Sequence, residues 1–355
     1  MSAPVAHGPA LFSARLKAAP EDFVVDEIEG APASGSGEHL QLLVEKRGLA
    51  TIDVVRRLCQ WANVAPVAVG YAGLKDKHAV ATQRFTVHLP KRVAPAVDAL
   101  QGDGLAVLSQ HWHSRKLPRG GLAGNRFRIT LRDLRPASGI AVDALQQSVA
   151  LRLDAIAARG VPNRFGVQRF GRAGDNVDQA RRLFAGARFG RETRSMLISA
   201  ARSALFNRVL DARVLAGCWD HALEGEVLML DGRSSVFGPE PITDALRARV
   251  AEFDVHPTGP LWGRGALRSQ GEAAAFEAVL AQAEPGLCAG LEQVGLSQER
   301  RSLRLRPGDL SAQWQAADTL VLSFRLSPGT YATAVLAELC GESAEGAAPD
   351  ASEAD

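Results

Sequence analysis

A chain of 355 residues, 46% hydrophobic and 23% charged, is long for one core and suits two domains, and this composition excludes a largely disordered protein. No apolar run approaches the roughly 18 residues that span a bilayer, and the N-terminus lacks the basic stretch and apolar core of a secretory signal. The cysteines Cys59, Cys218, Cys288 and Cys340 are scattered, with no Cys-x-x-Cys pair, which argues against a zinc site or a disulfide framework and fits a reducing cytoplasm.

In chain order, residues 23–28 and 39–44 have strand texture on either side of a Gly/Ser/Pro-rich turn. Thr51 can cap a helix through Ala62 whose inner face is Val54, Val55, Leu58 and Trp61. Residues 67–72 and 83–89 form two extended arms. Residues 125–131 alternate Phe127, Ile129 and Leu131 with Arg126, Arg128, Thr130 and Arg132, the pattern of a half-buried strand with a basic exposed face. A helix over 141–159 ends at Gly160, and Arg-rich helices follow over 177–185 and 194–215. Prolines and glycines at 238–241 and 257–260 mark turns, and a helix covers 272–282. Extended texture returns at 319–326, followed by Pro328-Gly329 and a short helix from Thr330. Strands that resume after about 150 residues of different character are the pattern of a domain inserted into another.

Charge is segregated along the chain although the net is only +2. Residues 111–135 hold seven Lys or Arg and one acid, and residues 159–213 hold twelve Arg against four acids. Residues 214–299 reverse this, with five Arg against thirteen acids. Such segregation predicts a basic face for nucleic acid and a solvated acidic back, against arginine-rich helices that are merely soluble.

The stretch with most chemical content is Gly73-Leu74-Lys75-Asp76-Lys77-His78-Ala79. It sets one carboxylate between two lysines in a loop held by the two extended arms. Flanking ammonium groups favour the ionised acid and attract a polyanion. Read locally, this fits a nucleophile whose partner carries phosphates, and it fits a charged hairpin tip without chemistry equally well. There is no phosphate-binding Gly-x-x-x-x-Gly-Lys-Ser/Thr loop, no dinucleotide glycine loop, no His-Glu-x-x-His and no Gly-x-Ser-x-Gly elbow. His111-Trp112-His113 is a weak metal pattern, better read as polar residues beside a buried tryptophan. The chemistry is therefore expected to run on a carboxylate, cations, amides and aromatics, with no cofactor and no metal.

Five separated segments then carry a resemblance: residues 16–25 (LKAAPEDFVV), the loop around Asp76, Gly124-Asn125-Arg126-Phe127, residues 161–171 (VPNRFGVQRFG) and residues 326–333 (LSPGTYAT). In this order they resemble the TruD family of tRNA pseudouridine synthases, from about Leu16 to Leu339. The resemblance implies an isomerase that breaks the N1–C1′ bond of a uridine, turns the base and rejoins it through C5. Its catalytic aspartate falls on Asp76, as nucleophile or as stabiliser of the sugar intermediate. Phe127 takes the place of the stacking aromatic or is a core strand residue. Asn125 suits a uracil edge, or is a turn residue after Gly124. Phe23 and Tyr331 match other pocket aromatics, Tyr331 standing where the family usually has phenylalanine. Lys17 matches a lysine that pairs with the aspartate, or touches phosphate. A base must be flipped out of stacked RNA to react, so an aromatic platform and a dry pocket are physically reasonable.

The expected fold is α+β: a pseudouridine synthase catalytic domain with a mixed, largely antiparallel sheet, plus an inserted α+β TRUD domain. The expected bounds are 1–152 with 305–341 for the first, 153–304 for the insertion and 342–355 for an acidic disordered tail. The partner is tRNA, lying between the two domains along the arginines of 111–135 and 159–213, with uridine 13 of the D-arm as the family precedent. A cytoplasmic monomer without membrane contact is expected.

Overall fold

The structure is a computed structural model that describes residues 3–171, 174–341 and 344–345. Two compact units share the chain. One holds Ala10–Ala150, Gly308–Gly329 and Cys340–Asp355; the other holds Met1–Pro9, Leu151–Pro307 and Thr330–Leu339. These bounds differ from those expected, because Met1–Pro9 and Thr330–Leu339 both fall with Leu151–Pro307. Glu338 ties all three segments: its buried carboxylate accepts from Ala6 N and His7 N, both at 2.9 Å, and its backbone carbonyl accepts from Arg152 Nη1. Ala344–Glu345 pairs in parallel with Phe12–Leu16; the rest of the acidic tail lies outside the described residues.

The first unit is built on a ten-stranded sheet. Its strands are β1 (Phe12–Leu16), β2 (Phe23–Glu29), β3 (His39–Arg47), β4 (Val69–Tyr71), β5 (Val80–His88), β6 (Leu105–His113) and β7 (Leu122–Pro136), with Gly308–Ala316, Thr319–Leu326 and Ala344–Glu345. The main path runs Gly308–Ala316, Thr319–Leu326, β7, β2, β5, β3, β6. Along it only β2 and β5 are parallel, so the sheet is mixed and largely antiparallel, as expected of this α+β chain.

Period-two alternation in β3 and β5 puts Leu40, Leu42, Val44, Phe85 and Val87 on one face, where they bury against Val54, Val55 and Leu58 of helix α1 (Thr51–Ala62). Burying each such side chain contributes about 1.5–3 kcal/mol, which fixes α1 on the sheet. The helix does not start on a threonine cap. Ala50 is the N-cap, and the Asp53 carboxylate accepts from Ala50 N at 2.9 Å; Thr51 lies inside the helix with its hydroxyl engaged elsewhere. Asn63 ends the helix in the left-handed region, at φ +51.

In the second unit, helices α2 (Leu145–Arg159, from Leu151), α3 (Asn176–Phe184) and α4 (Arg191–Leu215) accompany a small sheet centred on Val255–Leu261. Residues 257–260 are thus a buried strand, not the expected turn. The prolines are tolerated because the strand pairs with Leu228–Leu230 over Val255–Pro257 and with Glu299–Ser302 over Thr258–Leu261, so neither ladder runs its whole length. Gly259 allows the close approach of α4: an added Cβ would lie 3.0 Å from the Leu303 side chain and 3.1 Å from the Phe206 ring, a tight fit for both.

The basic and acidic stretches of sequence fold onto each other. Arg159 pairs with Asp220 at 2.7 Å, Arg181 with Glu284 at 3.0 Å, Arg202 with Glu299 at 3.1 Å, and the fully buried Arg213 with Glu226 at 2.9 Å. Arg208 adds a second contact to Glu284, and Arg164 pairs with Asp211. Segregation along the chain is therefore not segregation in space: among the described residues, six arginines of 159–213 pair with acids, and Arg169 bonds the Ser199 and Tyr331 hydroxyls. Arg182, Arg188, Arg191 and Arg194, around the start of α4, remain exposed.

Candidate active site

Alternation places three polar side chains where the core face of the sheet calls for apolar ones. Lys46 follows Leu40, Leu42 and Val44 in phase on β3, Gln83 stands between Ala81 and Phe85 on β5, and Glu27 follows Phe23 and Val25 on β2. All three are buried. Asn125 of β7 lies directly opposite Glu27. A polar row thus crosses four neighbouring strands on the face that α1 covers.

The loop between β4 and β5, which carries Asp76, is anchored on this row. Gln83 Nε2 donates to Gly73 O at 2.5 Å. The Thr51 hydroxyl accepts from Lys75 N at 2.9 Å and donates to Gln83 Oε1 at 3.0 Å. Lys75 Nζ meets Glu27 Oε2 at 3.3 Å, with both side chains almost wholly buried. Lys46 Nζ donates to Asp76 O at 2.5 Å and to Leu49 O at 2.6 Å. Burial pulls the Lys46 ammonium down to about 8, against the attraction of Asp76, and burial lowers Lys75 below its usual range against the pull of Glu27.

The side chain of Asp76 has a different cation. Lys17, far away in sequence, reaches Asp76 Oδ2 at 3.1 Å, and the carboxylate stays 37% exposed. So the lysine that precedes the acid is not beside its carboxylate: Lys75 turns inward to Glu27. The segment from Leu16 is shaped to deliver Lys17. Lys17 adopts φ +53, in the left-handed region, and the turn Pro20–Asp22 follows. The buried Asp22 locks that turn, accepting from Ala19 N at 3.1 Å and forming a bidentate pair with Arg132 of β7 at 2.7 and 2.9 Å.

An apolar wall continues from there. The Lys17 ammonium lies 4.6 Å over the Phe23 ring, Phe23 meets Phe127 edge-on at 6.1 Å, and Phe127 stacks on Phe324 at 5.4 Å. Phe127 is only 7% exposed, so most of its ring belongs to the core. The Asn125 side-chain oxygen is buried without a partner. Contacts and register therefore bring Asp76, Lys17, Phe23, Phe127 and Asn125 together within one unit. Tyr331 belongs to the other unit, where its hydroxyl accepts from Arg169 at 2.7 Å and its ring packs 6.1 Å from Phe165. Arg126 and Arg128 alternate with Phe127 and so face the opposite side of the sheet.

Sequence reasoning missed Lys46, Gln83, Thr51 and Glu27 as partners of the loop. The first, second and fourth carried a signal, a polar residue in phase with an apolar strand face; the Thr51 hydroxyl carried none beyond its place at a helix start.

Fold and site together define an α+β protein with one loop carboxylate anchored over a buried polar row. The sequence model of tRNA pseudouridine synthase D (TruD) matches residues 9–179 and 183–339. A tRNA pseudouridine synthase D of Xanthomonas axonopodis pv. citri (strain 306) is 53% identical over 353 residues, covering 95% of this chain and 94% of the relative. One from Nitrosococcus oceani is 48% identical over 338 residues, covering 93% of this chain and 91% of the relative. A crystal structure from Methanosarcina mazei, provisionally described as tRNA pseudouridine synthase D (TruD), shares the fold at TM-score 0.72 and 21% identity, covering 94% of this chain and 95% of that one. The chain belongs to the tRNA pseudouridine synthase D (TruD) family, and so to the pseudouridine synthases.

Proposed function

We propose that this protein converts a uridine of tRNA, uridine 13 of the D-arm, to pseudouridine, with Asp76 as the catalytic carboxylate. The observation that carries this reading is the half-exposed Asp76 carboxylate, fixed at its backbone by the loop anchors and at its side chain by Lys17. Asp76 attacks C1′, or stabilises the positive charge there, as the N1–C1′ bond breaks and the electron pair leaves with the uracil. The uracil turns, C5 bonds to C1′, the C5 proton is lost and N1 regains one. No hydride or water enters, so a single carboxylate suffices where a glycosidase needs two. Lys17 holds the carboxylate in one orientation, and Phe23 with the exposed edge of Phe127 offers the base an apolar wall. The buried Asn125 oxygen would be satisfied by a uracil N–H. Tyr331 carries no step in this reading.

For tRNA contact we look to the exposed Arg182, Arg188, Arg191 and Arg194 rather than to the paired arginines. Contacts of that kind position an RNA without reading its sequence.

The test is release of label from tRNA carrying tritium at uracil C5. Wild type should release it and Asp76→Asn should not. No release by wild type would sink the activity, and full release by Asp76→Asn would sink the role of Asp76. Replacing uridine 13 in the transcript should abolish release; unchanged release would move the target elsewhere.

A further inference from the structure

We propose that Lys46 is a positioning residue for Asp76, acting with Thr51 and Gln83 as a buried three-point clamp on the loop backbone. The inference rests on the catalytic role proposed for Asp76 and adds what sets that residue's place.

Three observations carry it. First, Lys46 is wholly buried, and the acceptors of its ammonium are two backbone carbonyls, Asp76 O and Leu49 O. A buried ammonium ordinarily stands against a carboxylate, since dipoles alone offset its lost hydration poorly. Here the cation is spent on fixing two peptide groups, one of them that of Asp76.

Second, the clamp is distributed along the loop. Gln83 holds Gly73 O at 2.5 Å, Thr51 holds Lys75 N at 2.9 Å, and Lys46 holds Asp76 O at 2.5 Å. Thr51 and Gln83 are joined at 3.0 Å, and both are buried. Residues 73–76 have no ladder or helix of their own to fix their dihedral angles. Three bonds from a rigid helix and two core strands replace one.

Third, each anchor stands on an element that the apolar core already fixes. Lys46 extends the face of Leu42 and Val44, Gln83 adjoins Phe85, and Thr51 precedes Val54 and Val55. Rigidity therefore passes from the core to the Cα of Asp76 through one hydrogen bond. The Lys17 contact then sets only the last torsions of the side chain.

The groups that bear on the Lys46 charge are Asp76, Lys75 and Asp53. A neutral amine at Lys46 would still donate two N–H bonds, so the clamp survives deprotonation. A methionine at this position would not donate at all.

The test uses the full chain and tRNA tritiated at uracil C5, in single-turnover experiments at saturating enzyme with the tRNA Kd measured separately. Lys46→Met should lower the single-turnover rate about 10²-fold, the scale of a 1 Å misplacement, with Kd within about 2-fold of wild type. Thr51→Val, which frees Lys75 N without touching a charge, should show the same split, with a drop of about 10-fold or more. A merely structural role would lower melting temperature and active fraction while the folded enzyme kept its rate.

Wild-type activity and an inactive Asp76→Asn establish the underlying reading within the same assay. If both hold, and a folded Lys46→Met turns over within about 3-fold of wild type, the clamp is wrong while the function stands. If Lys46→Met does not fold, Thr51→Val decides: unchanged rate, or equal loss of rate and affinity, overturns the proposal.

Discussion

Replacing Lys75 with methionine separates a lysine that meets RNA from one that holds the loop. Its ammonium lies 3.3 Å from Glu27 Oε2, with the two side chains 5% and 1% exposed. At an effective dielectric near 20, that separation corresponds to a gross attraction of about 5 kcal/mol, most of it offset by the cost of burying both charges. Removing only the lysine leaves the carboxylate buried without its counter-charge, a loss of about 3–5 kcal/mol. Glu27 Oε1 still accepts from Arg84 N at 3.1 Å, which places the expected loss near the lower bound.

The double substitution Lys75→Met with Glu27→Gln removes both charges and should recover about 2 kcal/mol relative to the sum of the single losses. Urea unfolding followed by circular dichroism measures all four proteins, with the transition of the sheet-bearing unit followed separately because two units need not melt together. In the folded fraction, tRNA affinity and its salt slope should match wild type, because this ammonium is turned to the core. Unchanged stability together with weaker, less salt-dependent tRNA binding would refute the reasoning and return Lys75 to the phosphates.

Lys46 gives a pH dependence of definite sign. Its folded-state value of about 8 lies below that of an unfolded lysine near 10.5, so the unfolded chain binds more protons between those values and stability rises with pH there. The stability difference between wild type and Lys46→Met should move by about 2 kcal/mol in favour of wild type from pH 7.5 to pH 10; a flat difference would contradict it. Phe127→Ala should cost about 3–5 kcal/mol in unfolding free energy, because its ring is packed between Phe23 and Phe324. Its single-turnover rate, measured on the folded fraction, should fall further than its tRNA affinity; equal falls would leave Phe127 a folding role alone. Changing Arg188, Arg191 and Arg194 together to alanine should weaken tRNA binding and reduce the salt slope by about 2–3, at about 0.7–0.9 per lost phosphate contact, without altering the melting curve. An unchanged slope would remove this arginine cluster from the RNA path.

Much of the sheet-bearing unit was legible because its strands alternate cleanly and its motifs come in order. β2, β3, β5, β7 and α1 were visible in the period of their apolar residues. What misled was sequence adjacency. Lys75 is covalently next to Asp76 and belongs to Glu27, whereas Lys17 meets the carboxylate through a turn whose lock, Asp22 on Arg132, joins residues 110 positions apart. The charge map misread which arginines are free for the same reason: runs of arginine and of acid that are separate in sequence close on one another, as Arg213 does on Glu226.

The polar residues in phase with apolar strand faces were a readable anomaly. A lysine after Leu40, Leu42 and Val44, a glutamine between Ala81 and Phe85, and a glutamate after Phe23 and Val25 each break the pattern that builds the core. A core does not keep three such groups unless each has a partner, because an unpaired one costs about 1–3 kcal/mol, and more if charged. Each therefore called for a polar segment laid across that face of the sheet. The loop of Asp76 supplies a partner to each: Asp76 O to Lys46, Gly73 O to Gln83 and the Lys75 ammonium to Glu27. The violation of the strand pattern and the anchoring of the loop are one arrangement seen from two sides.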